Sequence, residues 1–172
     1  MGVDRKSVLF VCMGNICRSP TGEGVFQALV DERGLSEVVL VDSAGTIGYH
    51  AGNPADPRMQ TAAERRGYRL TSRARKVTQA DLDNFDLIIA MDRANYDDLF
   101  AMTDRPEHHG RIRMLGEFLP EVSPSCRPER DEVPSVPDPY YGGAAGFEEV
   151  LDMIESASPA ILEHLTGSGS GR

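Results

Sequence analysis

Short apolar runs alternate with amphipathic segments along most of the chain. Residues 8–12 read VLFVC, a run rich in β-branched residues that is typical of a strand buried on both faces of a parallel sheet. The pattern predicts further strands at residues 38–45 and 86–91. Helical spacing begins at Thr21 and continues to Gly34, and more helices are predicted at residues 58–67, 92–102 and 144–165. This alternation indicates βαβ units with right-handed crossovers.

The segment at residues 117–143 interrupts the alternation. It is rich in proline and shows neither helical nor strand periodicity, so the sequence predicts a long loop, and such loops are often functional. The chain ends in GSGSGR, a composition typical of a flexible tail. With 172 residues the chain can bury one substantial core. We therefore predict one domain over residues 1–166 and a flexible tail over residues 167–172.

Charge and cysteine content narrow the partners and the compartment. The chain has 18 basic and 27 acidic residues, and the net charge of -9 argues against nucleic acid as a partner. No apolar run approaches the roughly 20 residues that span a bilayer, so no membrane partner is expected. Charged residues close to the N-terminus argue against a secretory leader, and an odd number of cysteines fits a reducing compartment. We expect a cytoplasmic protein.

The segment CMGNICRS places Cys12 directly after the first strand and Arg18 just before a helix. Backbone N–H groups of a tight loop that leads into a helix N-terminus form an anion-binding cradle, and the helix dipole adds to its positive field. The same field favours the thiolate of Cys12, which would then be a nucleophile. Arg18 offers a planar fork of donors that matches two phosphoryl oxygens. These features predict phosphate chemistry, with Cys12 and Arg18 as catalytic residues.

Neighbouring residues strengthen this interpretation. The Cys-x5-Arg spacing alone also fits a buried structural cysteine followed by a surface arginine. Ser19, however, can donate a hydrogen bond to the sulfur of Cys12 as it leaves, which makes it a third candidate catalytic residue. Gly14 is expected to allow backbone angles closed to other residues, and Asn15 tolerates the left-handed region. The combination favours a preorganised loop.

The run VLFVCMGNICRSP resembles the N-terminal signature of low-molecular-weight protein tyrosine phosphatases. Further stretches that resemble this family are VDSAGT, GNPAD, FDLIIAMD and DPYYGG, so the likeness covers the chain up to about residue 165. The resemblance implies a flavodoxin-like α/β domain with a four-stranded parallel sheet flanked by helices. It also implies hydrolysis of phosphotyrosine through a cysteinyl-phosphate intermediate. The loop residues Met13, Gly14, Asn15, Ile16 and Cys17 would then bind the substrate's phosphoryl group.

The resemblance assigns roles outside the loop as well. It implies that Asp138 in DPYYGG is the general acid that protonates the leaving phenolate, although an Asp beside Pro is usually a turn residue. Tyr49 matches the position of an aromatic residue that lines the substrate slot, and Tyr140 would form the opposite wall. The expected partners are tyrosine-phosphorylated proteins, with inorganic phosphate or similar oxyanions as competing ligands.

Some residues are expected to support the loop without touching substrate. Asp42, Ser43 and Asp92 lie at predicted strand ends and could anchor Asn15 and its neighbours by hydrogen bonds. No cofactor is expected, and no set of His, Cys and carboxylate residues has the spacing of a metal site. The adjacent residues His108 and His109 are interpreted as solvated loop histidines.

Three other functions remain open. Arsenate reduction on the same fold needs further cysteines to relay a disulfide, and Cys17 and Cys126 are available. An arginine-phosphate phosphatase is a close relative, although Ile16 stands where such relatives tend to carry threonine. A non-catalytic phosphate-binding module would have no need of Cys12, Ser19 and Asp138 together. The sequence departs from some relatives at Ser72, where they carry a loop-supporting histidine, and in a long connection at residues 117–137.

Overall fold

A computed structural model describes residues 5–122 and 132–167. Its centre is a four-stranded parallel sheet in the order β2-β1-β3-β4. The strands are β1 (Lys6–Cys12), β2 (Val39–Gly45), β3 (Leu87–Ala90) and β4 (Ile112–Met114). The helices are α1 (Arg18–Glu32), α2 (Pro57–Glu64), α3 (Gln79–Asn84), α4 (Arg93–Ala101), α5 (Pro106–His109) and α6 (Ala144–Thr166). The predicted fold, a parallel sheet flanked by helices, is confirmed.

Side chains of β1 point alternately to the two faces of the sheet, as expected for a strand buried on both sides. Val8 and Phe10 pack on the face covered by α1 and α6, where Phe10 meets Phe26 with ring centroids 5.6 Å apart. Leu9 and Val11 pack on the face covered by α3 and α4. Because β1 is central, Cys12 at its carboxyl end lies where ligands bind in open α/β sheets.

Several predicted boundaries were wrong by a few residues. Helix α1 begins at Arg18 rather than Thr21, so Pro20 lies within its first turn. Helix α2 begins at Pro57, with the side chain of Asp56 accepting a hydrogen bond from the backbone N–H of Arg58. The apolar periodicity does not extend to the first residues of a helix. A start that is set by a proline and a capping aspartate is therefore missed by that pattern.

Helices α3 and α5 were not predicted, and the interpretation of His108 was wrong. The short helix α5 buries His108, whose ring contacts the Thr103 hydroxyl at 2.7 Å and an Asp83 carboxylate oxygen at 2.7 Å. Its neighbour His109 is half-buried and stacks on Phe100 at 3.9 Å between ring centroids. His108 is therefore a buried, hydrogen-bonded residue, and His109 is only partly exposed.

The predicted long loop is described at residues 117–122 and 132–143, and its second part is held against the sheet. The backbone N–H of Val136 donates to the carbonyl of Met91 at 2.8 Å, next to the end of β3. Gly116 lets the segment approach closely, since a β-carbon there would lie 1.9 Å from the carbonyl oxygen of Pro134. A short 3-10 helix follows at Pro139–Tyr141. These contacts bring Asp138 back over the carboxyl edge of the sheet.

Candidate active site

The loop between β1 and α1 is held from outside by its carbonyl groups. The carbonyl oxygens of Cys12 and Met13 accept hydrogen bonds from the backbone N–H groups of the segment after β2, at 2.9 and 3.1 Å. The carbonyl of Ile16 accepts from the N–H of Asp56 at 2.8 Å, and that of Cys17 accepts from α1 at 3.3 Å. Because the backbone carbonyl groups of the loop accept hydrogen bonds from neighbouring segments, those segments fix its conformation.

The N–H groups of the same loop are left without protein partners. Over the described part of the chain, none of the backbone N–H groups from Met13 to Cys17 donates to a protein acceptor. Cys17 is the N-cap of α1 and makes no side-chain cap, and the first turn of α1 carries no acidic residue. Unpaired donors and a helix N-terminus together favour a bound anion.

Asn15 supports the loop from behind. Its φ of 57° lies in the left-handed region, as predicted. Its amide nitrogen donates to the hydroxyls of Ser19 at 2.7 Å and Ser43 at 3.1 Å, and its oxygen accepts from the backbone N–H of Arg75 at 3.0 Å. The buried side chain therefore does not line the cavity, and only the backbone of Asn15 is placed to meet a phosphoryl group.

Gly14 is required for a reason other than the one predicted. The φ of Gly14 does not lie in the left-handed region. Instead, a β-carbon at Gly14 would lie 2.9 Å from the Cδ2 atom of His50, closer than real contacts allow. The glycine makes room for the His50 ring above the loop.

The sulfur of Cys12 lies 3.1 Å from the hydroxyl oxygen of Ser19, and both residues are buried. The Ser19 hydroxyl accepts from Asn15 and has one proton to give, with the carbonyl of Ala44 at 3.3 Å as the alternative acceptor. When Cys12 is a thiolate it can only accept, so Ser19 donates to it. This arrangement can stabilise a sulfur anion.

Arg18 is buried and aimed into the same cavity. One terminal nitrogen donates to a carboxylate oxygen of Asp92 at 2.6 Å and to the carbonyl of Val136 at 3.0 Å. Its other terminal nitrogen lies 3.7 Å from Asp138. Burial alone would lower the pKa of the guanidinium, but Cys12, Asp92 and Asp138 outweigh burial and raise it. Arg18 is thus a fixed cation with one edge of its fork directed toward the loop.

Asp138 stands at the mouth of the cavity. One carboxylate oxygen accepts from the backbone N–H of Tyr140 at 3.0 Å and caps the short 3-10 helix, while the other faces Arg18. Its side chain is 35% exposed. Asp138 therefore caps a turn, as predicted for an Asp beside Pro, and also lies over the loop.

The cavity has a volume of about 350 Å³ and is walled by aromatic rings. Tyr49 is 84% exposed at the rim, and Tyr140 lies on the other side. The ring of His50 stands between them, with its centroid 4.9 Å from that of Tyr49 and 6.3 Å from that of Tyr140. His50 and Ile47 line the cavity but were not predicted, because nothing in GTIGYHAGNP distinguishes them from loop residues.

The predicted support of Asn15 is only partly as expected. Ser43 contacts Asn15, whereas Asp92 contacts Arg18 and caps α4. Asp42 does not reach Asn15; it pairs with the Arg75 guanidinium at 3.1 Å, and the Arg75 backbone holds Asn15. Arg75 was not predicted.

Behind the loop, the Ser43 hydroxyl donates to Glu23 at 2.6 Å. Burial raises the pKa of Glu23, although the bond from Ser43 opposes this. A continuous set of hydrogen bonds therefore runs from Cys12 through Ser19, Asn15 and Ser43 to Glu23. Ser72, where some relatives carry histidine, lines a separate groove beside Glu23.

Cys17 and Cys126 are the other two cysteines of the chain. Burial, followed by the negative charge of Asp56, raises the pKa of the Cys17 thiol well above its ordinary value. Cys126 lies outside the described residues. Within the described ranges no group of three or more His, Cys, Asp or Glu residues is arranged to hold a metal ion. Nor is any helix of those ranges long and apolar enough to cross a bilayer.

A cysteine and an arginine around an anion-binding loop, on a parallel sheet with a carboxylate above, form the kind of site that binds a tetrahedral oxyanion beside a nucleophile. The family model described as "Low molecular weight phosphotyrosine protein phosphatase" matches residues 7–170. The chain is 41% identical over 165 residues to the low molecular weight protein-tyrosine-phosphatase of Streptomyces coelicolor, covering 96% of each chain. The chain therefore belongs to the low-molecular-weight phosphotyrosine protein phosphatase family, a family of hydrolases.

Solved structures agree with this membership. A protein tyrosine phosphatase from Entamoeba histolytica, crystallised with Hepes in its active site, superposes with a TM-score of 0.84 at 38% identity, covering 95% of this chain and 99% of that one. A Drosophila arginine phosphatase superposes with a TM-score of 0.80 at 29% identity, covering 96% of this chain and 99% of that one. The fold thus accompanies two substrate classes.

Proposed function

We propose that this protein hydrolyses phosphotyrosine in phosphorylated proteins, with Cys12 as nucleophile, Arg18 as phosphate clamp and Asp138 as general acid. The observation that carries the proposal is the set of unpaired N–H groups from Met13 to Cys17 beside the Cys12 sulfur, with Arg18 in the same cavity. The reaction suits a reducing compartment such as the cytoplasm, because Cys12 must remain a thiolate.

In the first step the Cys12 thiolate attacks phosphorus, an S–P bond forms, and the bond from phosphorus to the tyrosine oxygen breaks. Protonated Asp138 gives its proton to the departing phenolate oxygen. Loop N–H groups and the free edge of Arg18 hold the equatorial oxygens, whose charge they are already placed to stabilise. The aromatic rim formed by Tyr49, His50 and Tyr140 holds the phenyl ring.

In the second step water attacks the phosphorus of the cysteinyl-phosphate. Asp138, now ionised, takes a proton from this water, and the S–P bond breaks to release inorganic phosphate. Ser19 donates its hydrogen bond to the sulfur as the thiolate leaves. Inorganic phosphate and similar oxyanions then compete with substrate for the same cradle.

The test is a turnover assay that compares phosphotyrosine, phosphoserine, phosphoarginine and arsenate at equal concentrations. We expect phosphotyrosine to have the highest kcat/KM. Turnover of arsenate with thiol consumption, or binding of all four without turnover, would contradict the proposal.

Phosphoarginine is the second candidate substrate, because a Drosophila arginine phosphatase shares the fold. Ile16 lines the cavity with an apolar side chain and offers no hydroxyl to a guanidinium. Leaving guanidinium donors unpaired costs on the order of 1 to 3 kcal/mol, or about ten- to a hundredfold in selectivity. We therefore expect Ile16→Thr to narrow the preference for phosphotyrosine, measured as the ratio of the two kcat/KM values. An unchanged ratio, or a wild type that prefers phosphoarginine, would show that Ile16 does not set this choice.

Mild oxidation should link the two cysteines of the loop. Peroxide converts the Cys12 thiolate to a sulfenic acid; Cys17 then loses its proton and attacks that sulfur, a disulfide forms, and the sulfenic oxygen leaves as water. Because its pKa is raised, Cys17 should stay a thiol until Cys12 is oxidised. We expect peptide mapping to find a Cys12–Cys17 disulfide and a reductant to restore activity. In Cys17→Ser the loss should become irreversible; sulfinic or sulfonic Cys12 as the only product in wild type would refute the idea.

A further inference from the structure

Arg58 bridges parts of the site that come from distant stretches of the chain. It lies in the first turn of α2, and its guanidinium donates to both carboxylate oxygens of Asp56, at 3.1 and 2.9 Å. One of its terminal nitrogens also donates to the carbonyl of Tyr140 at 3.1 Å. The guanidinium carbon lies 5.5 Å from the ring centroid of Tyr140 and 5.0 Å from that of Phe147 in α6. Four groups from three residues thus hold one side chain.

Each end of this bridge reaches a part of the proposed machinery. Asp56 is buried, and its backbone N–H donates to the carbonyl of Ile16 in the phosphate-binding loop. Tyr140 accepts from Arg58 through its carbonyl and donates its N–H to the carboxylate of Asp138. The path therefore runs from the loop through Asp56 and Arg58 to the acid.

The carboxyl group of Asp138 needs such a support. It is 35% exposed at the cavity mouth, where burial does not fix it, and its nearest charged partner, Arg18, is 3.7 Å away. A general acid must lie within hydrogen-bond reach of the leaving oxygen, and a displacement of about 1 Å can cost a hundredfold in rate. The hydrogen bond from Arg58 also lowers the pKa of Asp56, so the pair stays ionised through the neutral range.

We propose that Arg58 is a positioning residue that holds the segment carrying Asp138 at a fixed height above the phosphate-binding loop. The proposal rests on the function proposed above, since it assumes that Asp138 is the acid. Arg58 does not line the catalytic cavity, so it acts through Tyr140 and touches neither the phosphoryl group nor the phenol.

The test measures kcat/KM for a series of aryl phosphates whose phenols differ in acidity, because kcat/KM reports the first step, in which the phenol leaves. We expect Arg58→Ala to lower kcat/KM about tenfold for the least acidic phenols and less than twofold for the most acidic, because an acidic phenol leaves without protonation. The inhibition constant of inorganic phosphate should stay within about twofold, since Arg18 and the loop donors are untouched. Equal losses across the series would mean a general structural role and would overturn the proposal.

Two controls sharpen the result. Arg65→Ala removes a second arginine, at the other end of α2, and Arg58 and Arg65 line one surface groove outside the catalytic cavity. The Arg65 side chain makes no hydrogen bond or ion pair with any described residue. Arg65→Ala should leave kcat/KM unchanged for every phenol. Arg58→Lys keeps the charge but cannot reach both Asp56 oxygens and the Tyr140 carbonyl together, so an intermediate, leaving-group-dependent loss is expected. Should Arg58→Ala fail to fold, the lysine variant decides: a loss equal for all phenols overturns the proposal.

The double variant separates this proposal from the one on which it rests. With Asp138→Asn already in place, Arg58→Ala should cost less than twofold more for the least acidic phenols, because no acid remains to be positioned. If the loss in the double variant equals the product of the two single losses, Arg58 and Asp138 act independently and the proposal is contradicted. If the loss caused by Asp138→Asn alone is the same for every phenol, the assignment of Asp138 as the acid fails. If that loss varies with the phenol but the loss caused by Arg58→Ala does not, only the role of Arg58 is wrong.

Discussion

Cys12→Ser should reduce phosphotyrosine turnover by more than about a hundredfold, because a serine hydroxyl is not ionised at neutral pH and attacks phosphorus poorly. The substitution is small, and serine can keep the contact with Ser19 that the sulfur makes at 3.1 Å. The N–H groups of the loop and the Arg18 fork remain, so phosphate binding should persist. An assay of phosphotyrosine turnover measures the loss of activity, and calorimetric titration with phosphate measures the retained binding.

Cys126→Ser is the matched cysteine control and should turn over at close to the wild-type rate. Residual activity of Cys12→Ser above a hundredth of wild type would refute Cys12 as the nucleophile. Loss of phosphate binding together with turnover would instead indicate a collapsed loop, which a thermal unfolding measurement would reveal.

Asp138→Asn should lower kcat/KM about a hundredfold for aryl phosphates with weakly acidic phenols, the lower end of the range for general acids. Asparagine is the sharper choice than alanine because its side-chain oxygen can still accept from the N–H of Tyr140 and cap the 3-10 helix. The loss should shrink as the phenol becomes more acidic. The measurement is the slope of log kcat/KM against the acidity of the leaving group, because kcat/KM reports only the step in which the phenol leaves.

Asp92→Asn provides a comparison, since Asp92 holds Arg18 and does not face the leaving group. Its losses should be similar for every phenol. An Asp138→Asn enzyme with the wild-type slope would mean that another group supplies the proton.

The loop was predictable because its signals are local. A buried strand, Cys12, Arg18 and a following helix stand within a short stretch, and the left-handed backbone of Asn15 is a property of that residue type. The parallel sheet followed from the alternation of apolar strands with helices. Asp138, by contrast, could not be chosen from many acidic residues by pattern, and only resemblance to the family singled it out.

The rest depends on contacts between distant segments. Arg75 holds Asn15 through a backbone N–H, which any residue carries, so its identity gave no signal. Gly14 is needed because of His50, a neighbour in space and not in sequence. Helix α3 has only six residues, too few for a periodic pattern, and its one signal is the reciprocal capping of Thr78 and Asp81. His108 is buried only because Thr103 and Asp83 meet it there.

The unpaired donors of the loop tie the stability of this protein to its product. Several N–H groups of the loop have no protein acceptor, and a bound phosphate would satisfy them in the folded chain alone. A ligand that binds only the native state stabilises it by about 2.7 kcal/mol at a hundred times its dissociation constant. Phosphate in the surrounding medium should therefore stabilise the fold by binding at this one site, and the melting temperature should rise as the site fills. The enzyme is at its most durable when product inhibits it.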